Sequence, residues 1–251
     1  MGGGRYRLKR RRIIRFSGCN IGLGAFGRRG CGWCDSKKRK TPHAIKPNPD
    51  YLKIVTPTNE NLRFVNPVEP SFIAEWARRL YSPDTHAISL TGGEPLFQPE
   101  FLASTAESLK NEGFKLYLET NGSMPAHAAR ISHLLDYCCC DIKDESAGAA
   151  ENWRKLVELE LETIKILSDA GVAVFAKVVV TSNTKLENVE WYSRELSRIN
   201  CPICIQPVTP KNGYLPPSFQ QLCIFTEAAA RYLGSENVSL SVQTHKFLGI
   251  L

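Results

Sequence analysis

From Pro70 onward the hydrophobic positions follow two alternating rhythms: short apolar runs, and longer stretches with apolar residues every third or fourth place. The first rhythm predicts strands and the second predicts helices. The pattern predicts a helix over 70–81, a buried strand over 86–91, a helix over 98–112, a strand over 114–119, a short helix over 124–134 and a strand over 137–143. It continues with a helix over 151–170 ended by Gly171, a strand over 172–181, a helix over 185–198, a strand over 203–206, a helix over 218–233 and a last strand over 238–243. In the long helix, Leu156, Leu159, Ile164 and Leu167 mark the apolar stripe. The 172–181 run is nearly continuous apolar and β-branched, as expected of a strand covered on both faces. Ahead of these, residues 11–16 predict one more strand, and 36–70, rich in Pro, Asn and Lys, predict an irregular connection or small insertion. Such alternation implies parallel strands joined by crossover helices. About six βα units predict an α/β fold, an incomplete TIM-like barrel. One domain over 13–251 is expected, preceded by a basic arm over 1–12.

Charge changes the picture at one end only. The chain carries 32 Lys and Arg against 25 Asp and Glu, but residues 1–46 hold fourteen bases and the single acid Asp35. That segment is therefore +13 and the remainder −6. It reads either as an electropositive mouth for carboxylate-bearing small molecules or nucleic acid, or, over 1–12, as a solvated arm. No apolar run reaches the ~18 residues that a membrane span needs, and the Arg-rich start lacks the apolar core of a signal peptide. Nine cysteines, among them the run Cys138-Cys139-Cys140 on a predicted strand, point to a reducing compartment. A cytoplasmic protein with no membrane partner is the expectation.

The candidate chemistry starts in the glycine-rich segment 16–36, where Cys31 and Cys34 stand three apart and Cys19 is brought over by a loop. Three thiolates suit one iron-sulfur cluster with an open iron, since a 4Fe-4S cluster is normally held by four cysteines. A C-x-x-C pair is also a zinc half-site or a redox pair. In parallel α/β folds function collects at the carboxyl ends of strands. There this chain carries Thr91-Gly92-Gly93-Glu94-Pro95, Glu119-Thr120-Asn121-Gly122, Asp141-Ile142-Lys143-Asp144 and Gln206-Pro207. The paired glycines would let backbone approach a ligand, with the Glu94 carboxylate free to receive an ammonium group; a plain strand-to-helix turn is the alternative.

Together with the ending Gln243-Thr-His-Lys-Phe-Leu-Gly-Ile-Leu251, these motifs resemble the radical S-adenosylmethionine superfamily and, within it, the 7-carboxy-7-deazaguanine synthase family. The resemblance covers 13–251. It implies a radical S-adenosylmethionine core in which Cys19, Cys31 and Cys34 hold a 4Fe-4S cluster and Trp33 stands beside the adenine. Asp35, Gly93, Glu94, Asn121, Asp141, Lys143 and Gln206 would contact S-adenosylmethionine, and Ser36 would ligate Mg2+, standing where the family more often has threonine. Arg15, Thr91, His245 and the carboxylate of Leu251 would meet the substrate, with Trp33 and His245 open to plain packing roles and Leu251 to a frayed end.

The implied reaction is a radical ring contraction of 6-carboxy-5,6,7,8-tetrahydropterin to 7-carboxy-7-deazaguanine with loss of ammonia. It implies a flavodoxin- or ferredoxin-like electron donor and a homodimer. Two features depart from the family's pattern. The spacing from Cys19 to Cys31 is enlarged, as in some family members, and no Gln-Gly-Glu-Gly-like segment precedes Cys19. The start is then truncated or replaced, or the substrate differs. A glycyl-radical activase acting on a partner enzyme is a second reading, and a metal-stabilised nucleic-acid-binding module a third; the lack of clustered, exposed-looking aromatics among the basic residues weighs against nucleic acid. Cys138, Cys140, Cys201, Cys204 and Cys223 read as packing residues or as an auxiliary metal site.

Overall fold

Burial alternates most clearly along the strands over 116–120 and 173–180, where an apolar side that binds helices is separated from a more polar side. The computed structural model describes residues 11–28, 30–34, 51–58 and 60–243. Along the chain come β1 (Arg11–Phe16), the hairpin strands β2 (Tyr51–Val55) and β3 (Asn61–Val65), α1 (Pro70–Arg79), β4 (Ala87–Gly92) and α2 (Pro99–Asn111). Next are β5 (Leu116–Thr120), α3 (Pro125–Ile131), β6 (Tyr137–Ile142), α4 (Trp153–Asp169) and β7 (Ala173–Val180). The described chain closes with α5 (Leu186–Ser197), β8 (Ile203–Pro207), α6 (Phe219–Leu233) and β9 (Val238–Leu240). Seven strands form one parallel sheet in the order β1-β4-β5-β6-β7-β8-β9. This is an incomplete parallel barrel, with β1 and β9 as its two edges among the described residues.

Local chemistry starts the helices where the sheet needs them. α1, α2 and α3 each open on proline, whose fixed φ and missing N–H suit the first helical turn. The Asn152 side chain caps α4, and a Ser218/Gln221 capping box starts α6. The helix-facing side of the sheet, including Leu90, Leu118, Ile142, Val178 and Ile205, is buried against apolar helix residues such as Leu109, Leu167 and Leu196. Burying side chains of this size stabilises by about 1.5–3 kcal/mol each.

Three expectations need correction. The 36–70 stretch is not wholly irregular: β2 and β3 pair antiparallel, and Phe64 packs against Phe72 and Trp76 of α1. Their alternation is hidden by the surrounding Pro, Asn and Lys. β7 is not covered equally on both faces, since Phe175, Lys177 and Val179 stay partly exposed while Val174, Ala176, Val178 and Val180 are buried. The last strand ends at Leu240 rather than at residue 243. Cys138 and Cys140 face the helices and Cys139 faces the other way; all three are buried, as are Cys201 and Cys204, whereas Cys223 is exposed on α6. No disulfide forms.

One buried carboxyl stands out on α4. Glu160 has no exposed surface; one oxygen accepts from the Lys143 backbone N–H at 2.9 Å, and the other has no partner. Burial raises its pKa well above the ordinary carboxylate value, against the opposing pull of the Lys143 N–H and ammonium. A carboxyl whose pKa is raised by folding stabilises the fold when protonated and loses that contribution as pH rises toward the folded pKa. Glu160→Gln, neutral throughout, is expected to melt near the wild type at pH 5 and increasingly above it from pH 6 to 8, read by circular dichroism. A constant gap across that range would show that Glu160 is not the titrating group.

Candidate active site

The ends of β1 and β4 meet at a contact that only glycine permits. Phe16 pairs with Gly92 in the parallel register, and beyond it the N–H groups of Gly93 and Glu94 donate to the carbonyls of Phe16 and Gly18, both at 2.8 Å. A Cβ on Gly92 would fall on the Phe16 backbone, and one on Gly93 on the Gly18 carbonyl. The two missing side chains therefore make room for β1, where the sequence suggested room for a ligand. They seat the first residues of the cysteine loop directly on the end of β4.

From Cys19 the loop runs through successive turns: Leu23 N–H to Cys19 O at 3.0 Å, then Gly24 to Ile21 and Gly27 to Gly24, each at 3.1 Å. Buried Ile21 docks on Ala147, Ala149, Ala150 and Leu156, and Cys19, Phe26, Cys31 and Trp33 pack on the same patch. The Cys31–Cys34 segment is clasped from the far side of the barrel. Lys211 Nζ donates to the Cys34 carbonyl at 2.9 Å, and Asn212 Nδ2 to the Gly32 carbonyl at 3.1 Å. Trp33 meets Tyr214 edge-on with ring centroids 5.2 Å apart. The Tyr214 ring occupies the position a Cβ on Gly32 would take, so any larger residue there must displace that ring. None of Lys211, Asn212 or Tyr214 is visible in the sequence as a site residue, since their loop has no periodicity and the contacts span the whole chain.

Glu94 departs from the sequence-based expectation. It is fully buried, and its carboxylate accepts from Thr120 Oγ1 and Asn121 N at 2.6 Å each and from Leu96 N at 3.0 Å. That carboxylate is not free to receive an ammonium group. Burial raises its pKa to about 7, against the three donors and the Lys143 charge. What Glu94 does is lock the end of β5 to the end of β4. Asn121, so placed, sends Nδ2 to Asn20 Oδ1 at 3.0 Å and to Cys19 Sγ at 3.7 Å, while its Oδ1 accepts from Ser123. Asn20 and Ser123, which close this network at 2.8 Å, carry no sequence signal beyond lying beside named motifs.

The sheet's polar face supplies the other groups. Register puts Asp141 beside Lys177, and the Asp141 carboxylate binds both Lys177 Nζ at 2.7 Å and Lys143 Nζ at 2.6 Å. Burial alone would raise the Asp141 pKa, but the two ammonium groups outweigh it and hold it at about 2. Lys143 is held above the usual lysine value by Asp141 despite burial. Its charge is felt at Cys19 and Cys31. Lys177, a lone charge inside an apolar strand, is the site residue that strand parity can find. Glu119 accepts from Ser89 Oγ at 3.0 Å and Thr91 Oγ1 at 3.2 Å, with Arg11 3.6 Å away. Arg15 stands opposite Thr91 in the register and is exposed; Gln206 lies on β8 on the Lys177 side and is buried. Asp35, Ser36, His245 and Leu251 lie outside the described residues.

Three cysteine thiols carried by one loop are a donor set of the kind that binds an iron-sulfur cluster. Among the described residues no three Cys, His, Asp or Glu side chains converge as they would on one metal ion. A cubane asks for something else: each thiolate binds its own iron, so the sulfurs stand apart. Cys19, Cys31 and Cys34 are only partly buried, and Cys19 and Cys31 share one apolar patch near the Lys143 charge. Burial raises the Cys31 thiol to about 11, against Lys143, and raises Cys19 as well. Metal binding must therefore displace protons from both thiols.

The glycine contact yields a stability test. Gly93→Ala is expected to destabilise the chain by about 1–3 kcal/mol, the usual cost of overpacking, because the obstructing atom is backbone. Urea unfolding read by tryptophan fluorescence measures it. A loss below about 0.5 kcal/mol, typical of unconstrained surface positions, would mean that β1 moves away freely.

Residues 13–190 match the radical SAM superfamily. The 7-carboxy-7-deazaguanine synthase of Thermococcus kodakarensis is 38% identical over 97% of this chain and 90% of its own. That of Methanocaldococcus jannaschii is 34% identical over 100% and 96%, and that of Geobacter sulfurreducens 30% over 95% and 89%. Among solved structures, Streptococcus suis SuiB bound to S-adenosylmethionine superposes with a TM-score of 0.57 at 12% identity, over 85% of this chain and 47% of that one. The anSMEcpe structure with bound AdoMet gives 0.55 at 14%, over 91% and 63%. The chain spans about half to two thirds of the length of these two structures, and at such identities they bear on the fold alone. The family itself rests on the full-length relatives: the chain belongs to the radical S-adenosylmethionine superfamily and, within it, to the 7-carboxy-7-deazaguanine synthases.

Proposed function

We propose that the chain contracts the ring of 6-carboxy-5,6,7,8-tetrahydropterin to 7-carboxy-7-deazaguanine with release of ammonia, as a step of 7-deazapurine biosynthesis. The observation that carries the reading is one polar sheet face with the cysteine loop at its edge, in a chain aligned almost end to end with synthases of that name. Cys19, Cys31 and Cys34 would hold the 4Fe-4S cluster. Bound there, the cluster and S-adenosylmethionine supply the radical that takes a hydrogen atom from the substrate. The chain's own part is binding, orientation and exclusion of water.

In this reading Lys143, positioned by Asp141, and Gln206 receive the carboxylate and ribose of S-adenosylmethionine. The main chain at Gly93 and Glu94 borders its methionine part, Trp33 and Asp35 flank it, and Asn121 acts through Cys19. Arg15 pairs with the substrate carboxylate, for which its planar fork is suited. Thr91 and Glu119 accept the amino-bearing pterin edge, Glu119 being an acceptor already aimed at that face. Ser36 supplies an oxygen to Mg2+, a cation that takes few protein ligands. His245 and the carboxylate of Leu251 close the substrate pocket. A flavodoxin- or ferredoxin-like donor, a homodimeric assembly and a cytoplasmic setting complete the reading.

The test is anaerobic incubation of iron-reconstituted chain with reductant, S-adenosylmethionine, Mg2+ and 6-carboxytetrahydropterin, with product followed by mass-resolved chromatography. Product is expected from the wild type and none from Cys34→Ala. Arg15→Met is expected to lower kcat/KM for the pterin on the order of tenfold to a hundredfold, the weight of a charged hydrogen-bonded contact, while leaving uncoupled 5'-deoxyadenosine formation near the wild-type rate. Formation of 5'-deoxyadenosine by the wild type without deazaguanine would overturn the substrate, and an Arg15→Met variant with unchanged kcat/KM would remove Arg15 from the pocket.

A further inference from the structure

We infer that Asn121 sets the reduction potential of the cluster, acting through an N–H···S hydrogen bond to Cys19; the inference rests on the cluster assignment proposed above. The amide Nδ2 lies 3.7 Å from Cys19 Sγ, within the range of hydrogen bonds to sulfur. Its other proton goes to Asn20 Oδ1 at 3.0 Å. The amide oxygen accepts twice from Ser123, from N at 3.0 Å and from Oγ at 2.6 Å. Asn20 Nδ2 in turn donates to Ser123 Oγ at 2.8 Å, closing the ring.

This network fixes which way the amide points. Turned over, it would set its oxygen against the Asn20 oxygen and its NH2 against the Ser123 N–H, two clashes of like groups. The backbone N–H of Asn121 is tied to the buried Glu94 carboxylate at 2.6 Å, so the residue cannot swing away as a whole. A buried donor is thus held toward one cysteine sulfur by an arrangement in which every hydrogen-bonding position of the amide is used.

Hydrogen bonds to the sulfurs are among the factors that set iron-sulfur potentials. A donor aimed at a thiolate favours the more negatively charged, reduced state, and neighbours of metal ligands tune the metal in this way. Asn121 is in these terms a positioning residue, since it touches a ligand and not the reacting atoms. The same contact raises the affinity of the cluster for the electron that the family's chemistry must deliver to it.

The test is a dye-mediated redox titration of the anaerobically reconstituted full chain, monitored by electron paramagnetic resonance, with iron and sulfide counted first. Asn121→Asp keeps the shape and the Ser123 contacts but removes the donors, and Asn121→Ala removes the side chain. Both are expected to carry the wild-type iron content with a midpoint shifted to lower potential, further for Asp, whose charge adds to that of the thiolate. Loaded variants with the wild-type midpoint would overturn the inference and leave Asn121 a purely structural part. Should neither variant hold iron, Ser123→Ala, which leaves the amide in place but loosens it, decides: a smaller shift in the same direction supports the inference and an unmoved midpoint overturns it. A wild type that takes up no 4Fe-4S cluster would overturn the cluster assignment as well, so the two failures are distinguishable.

Discussion

The Glu94 carboxylate, without exposed surface, holds the ends of two strands together, while the main chain at Gly93 and Glu94 seats the loop beside them. Removing a carboxylate from water costs several kcal/mol. Three donors from Leu96, Thr120 and Asn121 return much of that, since hydrogen bonds to charged groups contribute roughly 1.5–3 kcal/mol each. Burial still prevails, as the elevated pKa shows. The residue is followed by the proline that opens a short turn and preceded by the glycines that admit β1. Each residue of Gly-Gly-Glu-Pro therefore has a packing reason before any ligand arrives.

A parallel sheet covered by helices on one side leaves the other side to be explained. On the concave face the polar groups satisfy one another: Glu119 with Ser89, Thr91 and Arg11, and Asp141 with Lys143 and Lys177. Buried charges persist when paired, and breaking such a pair is costly because the remaining charge is stranded. The outcome is a face too polar to collapse into a second core, beside a sheet whose edges β1 and β9 do not meet among the described residues.

How much of this the sequence discloses follows from the range of the interactions. Strands and helices from β4 to α6 are readable because their periodicity is local, and the cysteines and the Thr91–Pro95 turn because their composition is unusual. The hairpin escapes such a reading because its two five-residue strands sit among turn-forming residues, and Phe64 is only partly covered, by contacts that include Phe72 and Trp76 of α1. Glu94 stands out in the sequence while its role stays hidden, because a carboxylate beside glycines looks exposed until the donors from β5 are in place. Lys177 is masked because Ala173–Val180 reads as apolar, although strand parity puts its side chain on the face of Asp141. Asn20, Lys211, Asn212 and Tyr214 matter through partners about 100 or more residues away, and no periodicity carries that information.

The three cysteines owe their placement to different parts of the barrel. Cys19 is set by the end of β5 through Asn121, whereas Cys31 to Cys34 are set by the 145–150 turn and by the loop after β8. The loop that carries them buries only a small apolar patch of its own. Its geometry therefore depends on the relative positions of β4, β5, β6 and β8. That dependence gives a physical reason for a donor set at one end of the chain to sit above strand ends drawn from its whole length.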